Sequence, residues 1–224
     1  MTELAKNAKS FFSQLSVNNN KPWFDEHREE YDKKILEPSK EFTVELGSGL
    51  KKISPNVIVD PRVNKSLFRI NRDIRFSKDK TPYKTHLAIF FWEGTAPKME
   101  CPGFYLHIES DTVMVGTGLY HFPKNILNKY REIVGDKIQN KSLSRILNRI
   151  ENKGFVVGGK HYKRIPKGAD PDIAAPNLLL HNGLYSSKSY PNNNRLPALK
   201  ELCLSSYRDT IGLHRWLVNL CSGN

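Results

Sequence analysis

The sequence predicts an α+β fold: a mostly antiparallel sheet flanked by N-terminal and C-terminal helices in a single domain. Apolar residues recur at helical spacing before residue 54 and again after residue 123. Between these regions they alternate with the period of strands. Helices followed by strands and then by helices is the order of an antiparallel sheet covered by helices. We therefore expect one domain over residues 1–224.

Three helices are predicted at the N-terminus. Residues 3–16 carry apolar side chains at helical spacing, and three consecutive asparagines end that helix. Lys21-Pro22-Trp23 opens a second helix, because proline is favoured at the first helical position. Pro38 is expected to end the second helix and start a third, which runs to Ile53 in spite of two glycines.

The strands are predicted from alternation and from turn residues. Residues 66–71 alternate apolar and polar side chains, and residues 85–92 form a strong apolar run. Residues 104–109 and 112–116 are predicted to pair as a hairpin around Ser110-Asp111.

Helical spacing returns in the C-terminal half. Helices are predicted over residues 123–134 and 142–152, and a last helix from about Pro197 to Leu220. Between them, residues 155–162 are typical of a hairpin with a Gly-Gly turn.

Composition narrows the classes of protein. No stretch approaches the roughly 18 apolar residues that a membrane span requires, and no signal peptide is visible, so a cytoplasmic location without membrane contact is expected. Three cysteines without metal-ligand spacing, Cys101, Cys203 and Cys221, predict reduced thiols and neither a disulfide framework nor a metal site. No cofactor is predicted, and the oligomeric state is left open.

The net charge of +12 is concentrated in two blocks. Residues 62–86 contain eight Lys or Arg against two acids, and residues 123–168 contain twelve against three. Such blocks attract phosphates, polyanions or acidic proteins. A solvated surface that keeps the protein soluble is an equally good explanation, since net charge alone specifies no partner.

The first block contains the candidate site, residues 69–86. Arginine pairs with phosphate or carboxylate through its planar fork, lysine adds a point charge, and histidine exchanges protons near neutral pH. We interpret the segment as binding a phosphorylated or other anionic ligand, with His86 as the candidate catalytic residue. Tyr105 and His107 are expected beside His86, because sequential strands are usually neighbours in a sheet. The other candidate residues are Arg69, Arg72, Asp73, Arg75, Lys78, Lys84, Tyr105 and His107, and a second basic cluster with Lys163 and Arg164.

This segment also carries a family resemblance. Together with Phe11-Phe12 and residues 19–24, Asn-Asn-Lys-Pro-Trp-Phe, it resembles the conserved-hypothetical family known as domain of unknown function 2461. Gly116-Thr117-Gly118 and residues 162–168, Tyr-Lys-Arg-Ile-Pro-Lys-Gly, match as well, and the similarity covers about residues 9–220. The resemblance implies no particular activity, and Leu180 and Asn182 depart from more basic relatives.

Alternatives to the anion site remain open. The charged residues of the segment can instead form an internal salt-bridge network that ties the loop to helices. A metal site of His86, His107 and Glu109 is conceivable, but its spacing matches no known ligand motif, so ordinary structural roles are favoured. The chain can also be a nucleic-acid-binding domain that uses both basic blocks, or an interaction protein whose charges are structural. Whether it is an enzyme stays open.

Overall fold

The computed structural model, which describes residues 2–166, 170 and 172–222, confirms the α+β class. Its antiparallel sheet has five strands in the order β1-β2-β3-β5-β4. The strands are β1 (Leu87–Trp92), β2 (Gly103–Ile108), β3 (Thr112–Leu119), β4 (Val156–Lys160) and β5 (His181–Pro191). The helices are α1 (Glu3–Val17), α2 (Lys21–Glu26), α3 (Arg28–Tyr31), α4 (Glu37–Leu50), α5 (Lys124–Gly135), α6 (Lys137–Glu151) and α7 (Leu199–Ser222).

The chain divides into two compact units, each assembled from three stretches of sequence. Unit 1 consists of Met1–Phe91, Tyr105–Val115 and Ser189–Ser205, and unit 2 consists of Trp92–Phe104, Gly116–Lys188 and Ser206–Asn224. The expectation of one domain over residues 1–224 stays a prediction.

The expected break at Pro38 is wrong, because the chain stays helical from α3 through α4. A π-helical turn, Asp32–Leu36, connects the two, with the N–H of Glu37 donating to the carbonyl of Asp32. Proline donates no backbone hydrogen bond and its ring crowds the preceding turn. A wider turn directly before Pro38 accommodates both effects.

The core of unit 1 is rich in aromatic side chains. Phe11 contacts the rings of Phe12, Phe24 and Tyr31 at centroid distances of 5.6–6.4 Å. Helix α4 continues through its two glycines. Neighbouring side chains come so close there that a larger residue would clash: a Cβ on Gly47 would lie 2.4 Å from a methyl carbon of Val59, also in unit 1. The glycines that weaken the helical pattern in sequence are thus packing positions.

Two strand predictions differ in outcome. The hairpin around Ser110-Asp111 is confirmed as β2 and β3, closed by the N–H of Glu109 donating to the carbonyl of Thr112 at 2.8 Å. The strand expected over residues 66–71 is reduced to isolated bridges, Leu67 with Ile89 and Asn71 with Tyr83.

In unit 2, the predicted hairpin over residues 155–162 is wrong. Both glycines lie inside β4, which pairs antiparallel with β5, from Val156 opposite Ser187 to Lys160 opposite His181. The register shifts between Gly158 and Lys160, where Gly159 alone faces residues 182–184, so the extra residues of this irregularity lie on β5. Strand β5 was not predicted, because much of it is polar.

Composition led us to expect no membrane-spanning segment and reduced cysteine thiols. Across the described ranges, no helix combines the length and the apolar character needed to cross a membrane. All three cysteines are free thiols, with Cys101 and Cys203 buried.

Candidate functional site

The candidate segment, residues 69–86 of unit 1, folds back on itself. Asn71 and Tyr83 form an antiparallel bridge, flanked by the Arg72 N–H bound to the carbonyl of Pro82 (2.9 Å) and the Lys84 N–H bound to the carbonyl of Ile70 (2.8 Å). These bonds define two arms and a loop, residues 73–81, which we call the basic loop. The arms bring side chains from both ends of the segment together.

Asn19 attaches the segment to the end of α1. Its amide nitrogen donates to the carbonyl of Tyr83 at 2.9 Å, and its amide oxygen accepts from the N–H of Tyr83 at 3.0 Å. The ring of Tyr83 stacks on Phe24 of α2 at 4.1 Å. The next asparagine, Asn20, caps α2 by accepting from the N–H of Trp23. The two asparagines that only ended a helix in the sequence analysis therefore position the site.

The two acids of the segment are both paired inside the segment itself. Asp73 binds the guanidinium of Arg75 through two hydrogen bonds of 2.7 and 3.0 Å, and Asp79 binds Arg72. The Arg75 hydrogen bonds lower the pKa of Asp73 to about 2; the Thr81 N–H and then Arg72 lower that of Asp79 to about 2. Both pairs therefore join residues within the segment. The salt-bridge network considered as an alternative to an anion site would have tied the loop to helices, and these two pairs do not.

Four cations of the segment make no salt bridge within the described part of the chain, although the charge of Arg69 also acts on Asp73. None of the salt bridges found among the described residues involves Arg69, Lys78, Lys80 or Lys84. Lys80 donates to the carbonyl of Ile74, and Lys84 donates to the carbonyl of Arg69 at 2.7 Å. Burial, followed by the charge of Arg69, lowers the pKa of Lys84. The segment therefore carries uncompensated positive charge, some of it on a partly buried side chain.

A cavity of about 560 Å³ opens between the segment and the end of α1. Every lining residue carries a polar group, including two cations and two carboxylates, but the exposed wall is divided about equally between polar and apolar atoms. The lining residues are Ser16, Asn19, Arg72, Asp73, Asp79, Thr81, Tyr83, Lys84, Thr85 and His86.

A histidine pair lies at the start of the sheet. The predicted proximity of His86 and His107 is confirmed, with ring centroids 4.1 Å apart. The hydroxyl of Tyr105 lies 3.0 Å from Nδ1 of His107, and a carboxylate oxygen of Glu109 lies 2.8 Å from Nε2. Burial, with further contributions headed by His107 and Lys84, lowers the pKa of His86 to about 3. His86 is thus a neutral imidazole at physiological pH.

The structure brings some of the predicted residues together and not others. Arg72, Asp73, Lys84 and His86 line the cavity, whereas Arg69, Arg75, Lys78, Tyr105 and His107 are not among its lining residues. Lys163 and Arg164 lie in an exposed bend of unit 2, and their role in ligand binding stays a prediction. Lys167 and Gly168, part of the same family motif, lie outside the described residues.

Six lining residues were not among the predicted site residues: Ser16, Asn19, Asp79, Thr81, Tyr83 and Thr85. Five of them are neutral, so the search for cations and histidines passed over them. A usable signal existed for Asn19, which lies in residues 19–24, one of the stretches on which the resemblance in the sequence analysis rests.

Comparison with known proteins gives one match. Residues 7–216 match a family model described as "Conserved hypothetical protein (DUF2461)". No match is found among curated proteins.

Proposed function

The chain belongs to the DUF2461 family, and we propose that it binds a phosphorylated or otherwise anionic small molecule in the cavity beside the basic loop. If this protein is an enzyme that acts on the same ligand, His86 is the candidate for proton transfer, because it is the imidazole that lines the cavity.

The observation that carries this proposal is Lys84. Its side chain is partly buried at the cavity, and its ammonium group donates to a backbone carbonyl instead of a carboxylate. A charge removed from water without a counter-ion is costly, as the lowered pKa of Lys84 shows. An anionic ligand would supply the missing counter-charge.

Arg72 adds directional hydrogen bonding. Only Nη1 of its guanidinium is used within the part of the chain that the structure describes, by Asp79 and by the hydroxyl of Thr81 at 2.5 Å. The opposite edge keeps N–H donors for a phosphate or carboxylate. Because Asp79 fixes the guanidinium, little side-chain entropy is lost when a ligand binds.

The cavity's size favours a small molecule. Its volume of about 560 Å³ lies within the usual range for small-molecule and cofactor sites, about 300–1,000 Å³. The hydroxyls of Ser16 and Thr85 give neutral donors beside the two cations. This mixture of charged and neutral donors suits the several oxygens of a phosphate group.

The test compares two variants that remove the same charge. Lys84→Gln removes a cavity cation, and Lys78→Gln removes a cation of the same segment outside the cavity lining. The parent is expected to melt at a higher temperature with inorganic phosphate or a nucleotide, because a ligand that binds only the folded state stabilises it. Lys84→Gln is expected to weaken binding about 10- to 100-fold, as expected for losing a hydrogen bond to a charged group.

Lys78→Gln is the matched control and should bind as the parent does. Equal weakening by both variants would mean that general charge attracts the anion. No stabilisation of the parent by any phosphate, sugar phosphate or nucleotide would overturn the proposal.

Phe76 supports a second candidate function, binding of single-stranded nucleic acid. This side chain is 95% exposed at the outer part of the basic loop, with the guanidinium of Arg75 5.8 Å from its ring centroid. Exposed aromatic rings among cations serve as stacking platforms for bases. The ring does not line the cavity, so the two functions can be tested separately.

A further inference from the structure

Three side chains with metal-binding atoms converge at the start of the sheet in unit 1. One ligand atom each from His86, His107 and Glu109 all lie within 4.8 Å of one another. Two imidazoles and one carboxylate form a ligand set common in catalytic zinc sites.

The strand geometry explains the convergence. His107 occupies β2, and Glu109 follows two positions later, so both side chains point to one face. His86 directly precedes β1, the neighbour of β2 in the sheet. Spacing in sequence could not reveal this site, because its ligands come from two adjacent strands.

A metal ion would require the three ligand atoms, which lie within 4.8 Å of one another, to draw closer together, while one pair would move slightly apart. His107 Nε2 and the Glu109 oxygen are 2.8 Å apart. Zinc with ligands at 2.0–2.2 Å would hold two such atoms about 3.3 Å apart in tetrahedral geometry. The side chain of Glu109 is 48% exposed and can move, while that of His107 is 15% exposed and is held in place.

The surroundings prepare both histidines as ligands. The Tyr105 hydroxyl occupies Nδ1 of His107, which fixes the ring and directs Nε2 toward Glu109. No hydrogen bond to the ring of His86 is found among the residues that the structure describes. A ring nitrogen of His86 is therefore available to a metal ion.

The position at the cavity wall leaves room for a further ligand. Three protein ligands leave a fourth tetrahedral position open, as catalytic zinc sites do. Of the three ligands, His86 lines the cavity and His107 and Glu109 do not, so an open position on the His86 side would be reached from the cavity. Lys84 and Arg72 oppose a divalent cation electrostatically, and an anion in the cavity would relieve this repulsion.

From this geometry we propose that His86, His107 and Glu109 bind a divalent transition-metal ion of the zinc class. The open coordination position faces the cavity, where a water molecule or an anionic oxygen occupies it. Binding of the metal does not require the anion, but each increases the affinity for the other, since coupling between two sites is reciprocal.

The experiment uses the full chain stripped of metal with a chelator and then titrated with Zn²⁺ by calorimetry. Co²⁺ provides a second readout, because its visible spectrum reports the coordination geometry. We expect about one ion per chain and a tetrahedral or five-coordinate Co²⁺ spectrum. Glu109→Gln and His107→Asn should each weaken Zn²⁺ binding at least about 10-fold, and Tyr105→Phe about 10-fold through the orientation of His107.

His121→Asn is the control, an exposed histidine of unit 2 outside this cluster, and should bind Zn²⁺ as the parent does. Lys84→Gln should retain or increase metal affinity while losing phosphate affinity, so failure here is distinguishable from failure of the proposed function. If His107→Asn misfolds by circular dichroism, Glu109→Gln decides, because its side chain is half-exposed.

Inorganic phosphate should lower the concentration of Zn²⁺ needed for half-saturation of the parent. Absence of stoichiometric binding, or equal affinity in the parent and Glu109→Gln, would overturn the metal site. An octahedral Co²⁺ spectrum that is unchanged in His107→Asn would do the same.

Discussion

Replacing Asn19 with alanine tests whether this side chain holds the candidate segment in place. The change removes two hydrogen bonds and leaves both the N–H and the carbonyl of Tyr83 without that partner. At roughly 1 kcal/mol net for each bond, the free energy of unfolding should fall by about 2 kcal/mol. For a chain of this size the unfolding midpoint should then fall by about 4–8 °C.

The measurement is thermal and urea denaturation of the parent and three variants. Asn19→Asp keeps the acceptor for the Tyr83 N–H but not the donor, so it should lose an intermediate amount. Gln14→Ala, an exposed change on the same helix, should stay within about 0.5 kcal/mol of the parent. Identical midpoints for the parent and Asn19→Ala would refute the reasoning, as would equal losses in Asn19→Ala and Gln14→Ala.

Two further predictions address the loop tip and unit 2. Phe76→Ala should weaken binding of single-stranded nucleic acid by about 1–3 kcal/mol if a base stacks on this ring. The affinity for phosphate should not change. Undetectable nucleic-acid binding by the parent at low salt would exclude this second function. Gly159→Ala should destabilise the protein by more than about 1 kcal/mol, because φ is +107° and a Cβ would lie 2.0 Å from the carbonyl oxygen of Gly183. Gly135→Ala, with nothing within 4 Å of the added Cβ, should be neutral or stabilising. Equal melting curves for both glycine variants would contradict the close approach and positive φ at Gly159.

Local patterns predicted the helices well where one apolar stripe decides the structure. Helix α1 was expected over residues 3–16 and spans Glu3–Val17. The break expected at Pro38 was wrong. Proline usually interrupts a helix interior, but here a π-helical turn directly before it accommodates the missing hydrogen bond.

Strand pairing was harder to predict because partners lie far apart in sequence. Gly158-Gly159 is typical of a tight turn, but here it lies in a strand that pairs with residues 181–187. Strand β5 as a whole contains serines and a lysine at positions where an alternating apolar pattern would be expected. Nothing local therefore distinguished glycines inside a strand from a hairpin turn.

The candidate site shows the same division between local and distant information. The density of cations in residues 69–86 was visible in sequence, and adjacency of sequential strands predicted that His86 and His107 would meet. Which cations are neutralised was not visible. Arg75 and Arg72 find acids in their own segment, whereas Lys84 finds a carbonyl.

Asn19 explains why two distant parts of the family pattern belong together. It is 64 residues from Tyr83, yet its amide binds both backbone groups of that residue and it also lines the cavity. Since Lys84 follows Tyr83 directly, the position of the partly buried lysine side chain depends on this contact. A substitution at Asn19 can therefore disturb anion binding without removing a charge, so the asparagine motif and the basic segment act as one structural unit.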